Sequence, residues 1–296
     1  MLRQLKTYAK RFPSIVRLNH YIHRSLANFL HDFRDLCDSY ILKSTAPRVT
    51  PYGFKLVGSS SVHHRAMQAG TFEPDEMQLI QEYLHKADGF VDIGANIGFY
   101  SCMGRHFGKQ VVAIEPLQRN LALLYANMIV NDWTDVEVFP VGLSKKPGLA
   151  ILYGASGTGA SLIAGWAGAS PQFHRTTPLS TLDIVLNHRF EGRKLIIKID
   201  VEGVEYEVLL GGRKILGMSP RPVWMVEICL NEYHPGGVNP NYASTFELFW
   251  KHGYEVRTAD RRRKIIKPED VERWVHEKRC DSGVINYLFL PMRQGD

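Results

Sequence analysis

A glycine-rich turn between a predicted strand and a predicted helix is the segment best suited to chemistry. Gly94 and Gly98 follow an apolar run that ends at Ile93, and glycine lets a backbone turn tightly and approach a ligand closely. The helix after the turn offers unpaired N–H groups. The third glycine of the dinucleotide spacing G-x-G-x-x-G is missing. Asp92 instead stands two positions before the first glycine, where a carboxylate would repel a pyrophosphate and attract a cation.

A second acidic residue ends the next predicted strand. Glu115 lies 23 positions after Asp92 and is placed to accept hydrogen bonds from both hydroxyls of a ribose. S-adenosylmethionine fits such a pair of carboxylates, because it joins a ribose to a sulfonium and an amino group. The predicted cofactor-binding set is Glu73, Asp92, Gly94, Asn96, Gly98, Glu115, Gly142 and Leu143.

Short apolar runs rich in β-branched residues alternate with helical segments from residue 90 onward. Such runs are typical of parallel strands that are covered on both faces. They lie at 90–93, 111–114, 136–139, 195–199 and 223–226, and two further strands are predicted at 254–257 and 284–290. A helix is predicted over 118–130. The alternation predicts a doubly wound, Rossmann-like α/β domain with a mostly parallel sheet and right-handed crossovers.

These motifs resemble those of the FkbM family of methyltransferases. The similarity rests on the turn at 92–98, on Glu115 followed by Pro116, on STLD at 180–183, and above all on KIDVEGVE at 198–205. It covers roughly residues 50–291. The resemblance implies a class I methyltransferase fold with seven strands, the last of them antiparallel, and S-adenosylmethionine as cofactor. It also implies O-methylation of sugar or polyketide hydroxyls, and it leaves the acceptor open.

The distinctive run places two acidic residues beyond a strand. In an open parallel sheet, ligands bind beyond the carboxyl ends of the strands where the strand order reverses. Asp200 is therefore the first candidate for a general base on an acceptor hydroxyl, and Glu202 is the second. In the alternative, Glu202 and Glu205 only complement the positive end of the following helix. Lys198 is expected to extend its side chain to a partner carboxylate, with a binding role as the alternative.

Other polar clusters have two readings. Asp200, Glu227 and His234 could collect a hard divalent cation, but no two ligands are closely spaced, so no metal is predicted. His63 and His64 are expected in a surface loop, with folding over the cofactor as the alternative. The basic run at 261–264 is interpreted as a solvated hairpin tip, and contact with a phosphate-bearing acceptor is the alternative.

Residues 154–170 differ from the rest of the chain. They are rich in Gly, Ala and Ser, with too few branched residues for a strand and too much glycine for a stable helix. A mobile loop over the site and an ordinary surface loop are equally compatible with this composition.

Charge separates an N-terminal arm, residues 1–48, from a methyltransferase domain, residues 49–296. The arm has nine basic and three acidic residues, a surplus equal to the net charge of +6 of the whole chain. Its apolar residues recur at helical spacing between Leu26 and Tyr40. The arm is interpreted as a helical extension that packs on the domain or on a second subunit, with docking on an anionic membrane surface and contact with a nucleic acid as alternatives. The balanced charge of the remainder gives no support to a nucleic-acid groove.

The four cysteines show neither metal-ligand spacing nor a disulfide framework. No stretch approaches the length of a membrane span, and no secretory signal is visible. A cytoplasmic protein, peripheral at the membrane if the arm docks there, is the expectation.

The leading functional hypothesis is transfer of a methyl group to a hydroxyl of a saccharide, a glycolipid or a secondary metabolite. The expected partners are such a small-molecule or saccharide acceptor, no nucleic acid, and a second copy of the chain in a homo-oligomer. Methylation of nucleic-acid bases or other amines is one alternative, although Asp200-Val201-Glu202-Gly203 differs from the Asp/Asn-Pro-Pro-aromatic run of enzymes that methylate exocyclic amines. A non-catalytic module that binds the cofactor and a partner is another.

Overall fold

A computed structural model describes residues 45–154 and 159–292. The predicted helical arm therefore lies outside the described residues, apart from residues 45–48. Thr45 accepts a hydrogen bond from the backbone N–H of Gly58, and Arg48 pairs with Leu56. The last residues of the arm thus contact the domain, and the role of the rest stays a prediction. No helix of the described segments is long and apolar enough to cross a membrane.

The described chain alternates strands and helices in the order that the sequence indicates. The strands are β1 (Arg48–Val49), β2 (Lys55–Leu56), β3 (Gly89–Ile93), β4 (Gln110–Ile114), β5 (Glu137–Phe139), β6 (Gly142–Leu143), β7 (Gly148–Tyr153), β8 (His174–Ser180), β9 (Leu195–Ile199), β10 (Val223–Glu227), β11 (Tyr254–Thr258), β12 (Ile265–Ile266) and β13 (Asn286–Pro291). The helices are α1 (Val62–Ala69), α2 (Pro74–Leu84), α3 (Phe99–His106), α4 (Gln118–Val130), α5 (Leu182–Leu186), α6 (Glu205–Leu210), α7 (Arg213–Leu216), α8 (Tyr242–Lys251) and α9 (Pro268–Glu277).

The main sheet has the order β12-β11-β13-β10-β9-β3-β4-β5. Strands β3, β4, β5, β9 and β10 pair in parallel, and β13 runs antiparallel to both of its neighbours. This confirms the predicted Rossmann-like, mostly parallel sheet with its last strand antiparallel. The two-residue strand β12 adds an eighth member at the edge, where it forms a hairpin with β11.

The central strands are buried on both faces because alternate side chains enter two different apolar cores. Phe90 packs with the helices α1 to α4, and Val91 and Ile93 pack with the helices α5 to α9. Every residue of β3 and β9 is buried. Near-continuous apolar strands in the sequence follow from this two-sided burial.

A second, three-stranded sheet of order β6-β8-β7 was not predicted from the sequence. Most of β7 and β8 is partly or fully exposed, so neither strand shows a clear apolar pattern. This sheet stands between β5 and β9 in the chain and carries the residues 142 and 143 of the predicted cofactor set.

The sheet reverses its strand order at β3. The chain continues from β3 to β4 on one side, while β9 lies on the other. A ligand cleft is expected beyond the carboxyl ends of the strands at such a point. Gly94 is essential there, because a Cβ on it would lie 1.8 Å from the carbonyl oxygen of Asp200.

Candidate active site

A cavity of about 640 Å³ opens beyond the carboxyl ends of β3, β4, β9 and β10. It is lined by six members of the predicted cofactor set and by both predicted catalytic residues, namely Glu73, Gly94, Asn96, Glu115, Gly142, Leu143, Asp200 and Glu202. Asp92 and Gly98 do not belong to this lining. Gly98 instead caps α3 in the left-handed conformation, with φ of 81°.

Asp92 lies beneath the glycine turn. It is 1% exposed, and its Oδ2 accepts a hydrogen bond of 2.6 Å from Ser101 Oγ. Burial raises the pKa of this carboxyl group to about 6. Asp92 therefore holds the turn to α3 from below, and direct contact of its carboxylate with a cofactor stays a prediction.

Glu115 lines the cavity directly after the end of β4. Its Oε2 accepts the backbone N–H of Asn96 at 2.8 Å, and its Oε1 accepts the N–H of Leu117 at 2.7 Å. Burial raises the pKa of Glu115 to about 7 despite these bonds. The Asn120 side chain donates a third hydrogen bond to the carboxylate, which leaves one of its four lone pairs for a hydroxyl hydrogen from the cavity.

Lys198 connects the centre of the site. Its side chain is 3% exposed, and its Nζ lies 2.8 Å from Oδ2 of Asp200. The same ammonium stands 4.7 Å from the centre of the Tyr100 ring. Burial alone would lower the pKa of Lys198, but the charges of Asp200 and Glu73 outweigh it and raise the pKa. The expected pairing of Lys198 with a carboxylate is confirmed.

Three carboxylates converge at this end of the cavity. One oxygen each of Glu73, Asp200 and Glu227 lies within 4.8 Å of the others. Glu73 also accepts a hydrogen bond of 2.5 Å from the Tyr100 hydroxyl. Burial raises the pKa of Glu73, and burial together with the charge of Asp200 raises that of Glu227.

The cation set considered from the sequence differs from this cluster. His234 is not a member, because its Nδ1 accepts the N–H of Gly236 and its ring packs against Trp166. Glu73 takes its place from a distant part of the sequence. The Lys198 ammonium already supplies a positive charge to the group.

Glu202 is bound on both carboxylate oxygens by the glycine-rich segment. Trp166 Nε1 donates to Oε2 at 2.6 Å, and the N–H of Gly159 donates to Oε1 at 3.0 Å. Burial raises the pKa of Glu202 to about 7. The described part of the segment does lie over the cavity, as one of the two interpretations proposed. The catalytic role of Glu202 stays a prediction.

Several site residues were missed or misplaced by the sequence. His63 and His64 both lie in α1 at the cavity wall, His63 exposed and His64 buried, so the expectation of a surface loop is wrong for both. In the sequence, nothing distinguishes Tyr100 and Trp166 from ordinary aromatic residues of a core. The basic run does form a hairpin tip, where its three arginines pair with Asp75, Asp260 and Glu82.

Residues 92–256 match the family described as the methyltransferase FkbM domain. The chain belongs to this family. The match covers the glycine turn, Glu115, the segment over the cavity and the run from Lys198 to Glu205. A comparison with curated proteins found no match.

Solved structures similar to this FkbM domain protein are methyltransferases of distant sequence. The precorrin-6y C5,15-methyltransferase of Geobacter metallireducens is 13% identical, with a TM-score of 0.37 over 63% of this chain and 74% of that chain. The putative RNA methyltransferase of Pyrococcus horikoshii is 11% identical, with a TM-score of 0.34 over 76% and 82%. The tRNA (uracil-54, C5)-methyltransferase of Pyrococcus abyssi, in complex with S-adenosyl-L-homocysteine, is 10% identical, with a TM-score of 0.38 over 73% and 38%.

The protein is thus a methyltransferase of the FkbM type, and its cofactor is S-adenosylmethionine. The cleft fits this molecule. Gly94 lets the turn pack directly against the backbone of Asp200 at the cavity wall, Glu115 offers an acceptor for a hydroxyl, and the surrounding acidic side chains suit a cation.

Proposed function

We propose that the chain transfers the methyl group of S-adenosylmethionine to a hydroxyl of a saccharide, a glycolipid or a secondary metabolite. The observation that carries this proposal is the group of three carboxylates, Glu73, Asp200 and Glu227, at the end of the cavity beside the glycine turn. A hydroxyl is a poor nucleophile until its proton begins to leave, so a nearby proton acceptor is required.

The cofactor supplies an electrophilic methyl group when it is bound. Gly94, Asn96 and Glu115 would hold its nucleoside part, which leaves the end of the cavity at Asp200 for the acceptor. Positioning the acceptor oxygen in line with the methyl carbon contributes most of the rate enhancement. The side chains around Asp200 provide that positioning together with proton removal.

Asp200 is the proposed acceptor of the hydroxyl proton. Lys198 fixes the orientation of its carboxylate through the contact of 2.8 Å. Glu227 and Glu73 lie beside it, and their raised pKa values allow the group to share the proton once it has left the hydroxyl.

The charge of the cavity disfavours a nucleic acid as acceptor. The carboxylates that line it among the described residues are Glu73, Glu115, Asp200, Glu202 and Glu227, and the lysine and arginine side chains there are Lys198 and Arg119. Nucleic-acid sites are rich in Lys and Arg, whereas acidic side chains outnumber basic ones here, so the lining offers a phosphate backbone few cationic partners. The arginines of the hairpin tip are paired with acidic side chains, so they offer no ready phosphate site.

Asp200→Asn tests the proposal. The substitution keeps the shape of the side chain and removes the base, so the turnover rate should fall about 100-fold or more with little change in cofactor affinity. The acceptor is first identified by transferring a labelled methyl group to fractionated cell extract. Rate and cofactor affinity are then measured on the purified acceptor and by calorimetry.

Glu202→Gln is the matched control. Its amide oxygen can still accept one of the two N–H donors, Trp166 Nε1 or Gly159 N, while its NH2 group cannot accept the other. A structural role therefore predicts a lower melting temperature but a much smaller loss of rate than in Asp200→Asn. Full activity of Asp200→Asn would contradict the assignment and move the role of base to Glu227 or Glu202. Equal losses of rate and of cofactor affinity would place Asp200 in the cofactor-binding shell.

A further inference from the structure

Two buried polar atoms at the cavity have no hydrogen-bond partner among residues 45–154 and 159–292. They are Nε2 of His64 and Oδ1 of Asn96. Both residues line the cavity, and His64 is 3% exposed. Buried polar atoms are nearly always paired, so two unpaired ones side by side at a cavity wall point to a ligand.

The hydrogen bonds of His64 determine which of its nitrogens carries the proton. The backbone N–H of Ser59 points at Nδ1 from 3.0 Å, and Ser59 Oγ lies 2.8 Å from the same atom. A backbone N–H can only donate, so Nδ1 must be the acceptor and Nε2 carries the hydrogen of the neutral ring. Burial, with the charge of Arg119 after it, lowers the pKa of His64 to about 4, which keeps this tautomer neutral at physiological pH.

Asn96 faces the same imidazole. Its amide raises the pKa of His64, as an oxygen turned toward the ring does, although the two side chains do not reach hydrogen-bond geometry. The backbone N–H of Asn96 donates to Glu115 at 2.8 Å. Asn96, which carries one of the two unpaired atoms, is therefore bound through its backbone to the carboxylate that is proposed to bind a ribose hydroxyl.

The geometry points to a ribose clamp in which His64 Nε2–H donates to one hydroxyl of S-adenosylmethionine, Asn96 Oδ1 accepts from that same hydroxyl, and Glu115 accepts from the neighbouring one. This inference rests on the proposed function for the placement of the cofactor. It assigns a binding role to His64, which precedes the family match at residues 92–256.

The chemistry of the two atoms selects a hydroxyl over the other polar groups of the cofactor. A carboxylate would satisfy the His64 donor but would be repelled by the Asn96 oxygen. An ammonium or amino group would satisfy Asn96 but would meet the N–H of His64. A hydroxyl is both donor and acceptor, so it satisfies both atoms at once.

Two substitutions at His64 separate binding from structure. An asparagine amide takes the position of Nδ1, so His64→Asn keeps the contact with Ser59 and loses the donor at Nε2. A glutamine amide reaches the position of Nε2, so His64→Gln keeps the donor toward the cavity. Each variant of the full chain is titrated with S-adenosylhomocysteine and with its 2′-deoxy and 3′-deoxy forms, and its melting temperature is recorded.

We expect His64→Asn to bind S-adenosylhomocysteine about three- to tenfold more weakly, as for the loss of one neutral hydrogen bond, and His64→Gln to keep most of the affinity. For one of the two deoxy forms, the wild-type protein and His64→Asn should bind equally, because the hydroxyl that His64 contacts is already missing.

Other results would overturn the clamp. An equal loss for all three ligands in His64→Asn would mean that the residue acts through the fold or on another part of the cofactor. Unchanged affinity in His64→Asn would mean that it makes no contact. If the wild-type protein fails to bind S-adenosylhomocysteine at all, the proposed function itself is wrong, which is a distinct result.

Discussion

Burial raises the pKa values of four carboxyl groups around the site into the neutral range. Asp92 reaches about 6, and Glu115, Glu202 and Glu205 reach about 7. All four groups accept hydrogen bonds from the backbone, which favours the charged form, yet desolvation is the larger effect for each. The site therefore holds protons that the unfolded chain releases near pH 4 to 5.

Glu205→Gln tests this at a group that does not line the cavity. Glu205 is 3% exposed and accepts the N–H of Gly203 at 2.9 Å. Because its folded pKa is raised, the wild-type carboxyl group stabilises the fold below the pKa of the unfolded state, and this stability is lost as the pH rises toward 7. The melting temperature of the variant relative to wild type should therefore increase between pH 4.5 and 7.5, by the equivalent of about 2 kcal/mol.

Glu82→Gln provides a control of opposite sign for that measurement. The hydrogen bond from Arg263 lowers the pKa of Glu82. Its contribution is present above the unfolded pKa and lost as the pH falls. Glu82→Gln should thus be destabilised more at neutral than at acidic pH. A relative melting temperature that does not depend on pH in Glu205→Gln would contradict the raised pKa.

At the scale of elements, one contact point attaches the segment 159–170 to the end of β9. Trp166 is 1% exposed and donates to Glu202, and Ser161 Oγ donates to the backbone oxygen of the same residue at 2.6 Å. Gly203 allows the close packing, because a Cβ on it would lie 2.4 Å from the Trp166 ring. The indole thus sets the position of the wall over the acceptor end of the cavity.

Trp166→Phe should loosen this segment without unfolding the domain. The change removes one hydrogen bond to a buried carboxylate, which is worth about 1.5–3 kcal/mol. Amide hydrogen exchange at 159–163 should become roughly ten- to a hundredfold faster, because exchange follows the free energy of local opening. Trp274→Phe is the matched control. Trp274 lies on α9 and its indole donates a hydrogen bond to Asp281, so the substitution removes a similar bond elsewhere and should leave exchange at 159–163 unchanged. Unchanged exchange in Trp166→Phe would show that the indole does not hold the segment.

The central elements could be predicted from the sequence because their signals are local. Apolar runs gave β3, β4, β9 and β10, and the helix predicted over 118–130 is α4 with the same bounds. The sheet of β6, β7 and β8 could not be predicted, since an exposed polar strand such as His174–Ser180 is stabilised by pairing across 20 or more residues rather than by its own pattern.

At the scale of the whole molecule, the site also has a part that could be predicted from the sequence and a part that could not. Glycine spacing and strand-end acids indicated the cofactor side, because these residues lie within one strand-turn-helix unit and the strand beside it. The acceptor side is assembled by topology. Glu73 enters from the start of α2, Tyr100 from α3 and Glu227 from the end of β10. The sequence analysis grouped Glu227 with Asp200, but no spacing in the sequence indicates that Glu73 and Tyr100 meet them.

At the scale of the whole molecule, hydrogen bonds attach the first described residues to the domain. Thr45 Oγ1 accepts hydrogen bonds from the N–H of Gly58 at 3.0 Å and from Gln68 Nε2 at 2.9 Å. These bonds hold the segment between β2 and α1, which leads directly to His64. The position of the boundary between arm and domain should therefore affect the thermal stability of the domain, which two deletions can measure.

Deletion of residues 1–44 should leave a folded domain with the cofactor affinity of the full chain, because it retains Thr45 and the pairing of Arg48 with Leu56. Deletion of residues 1–48 should also bind cofactor but melt at a lower temperature. It removes the three hydrogen bonds of Thr45, two accepted by Oγ1 and one donated by its backbone N–H to Gly58 at 2.9 Å. Together they are worth about 3 kcal/mol, which corresponds to roughly 6–12 °C in a domain of this size. Thermal unfolding and calorimetric titration with S-adenosylhomocysteine compare the two forms. If the shorter deletion already unfolds the protein, residues 1–44 belong to the core of the domain and the arm is not a separate unit.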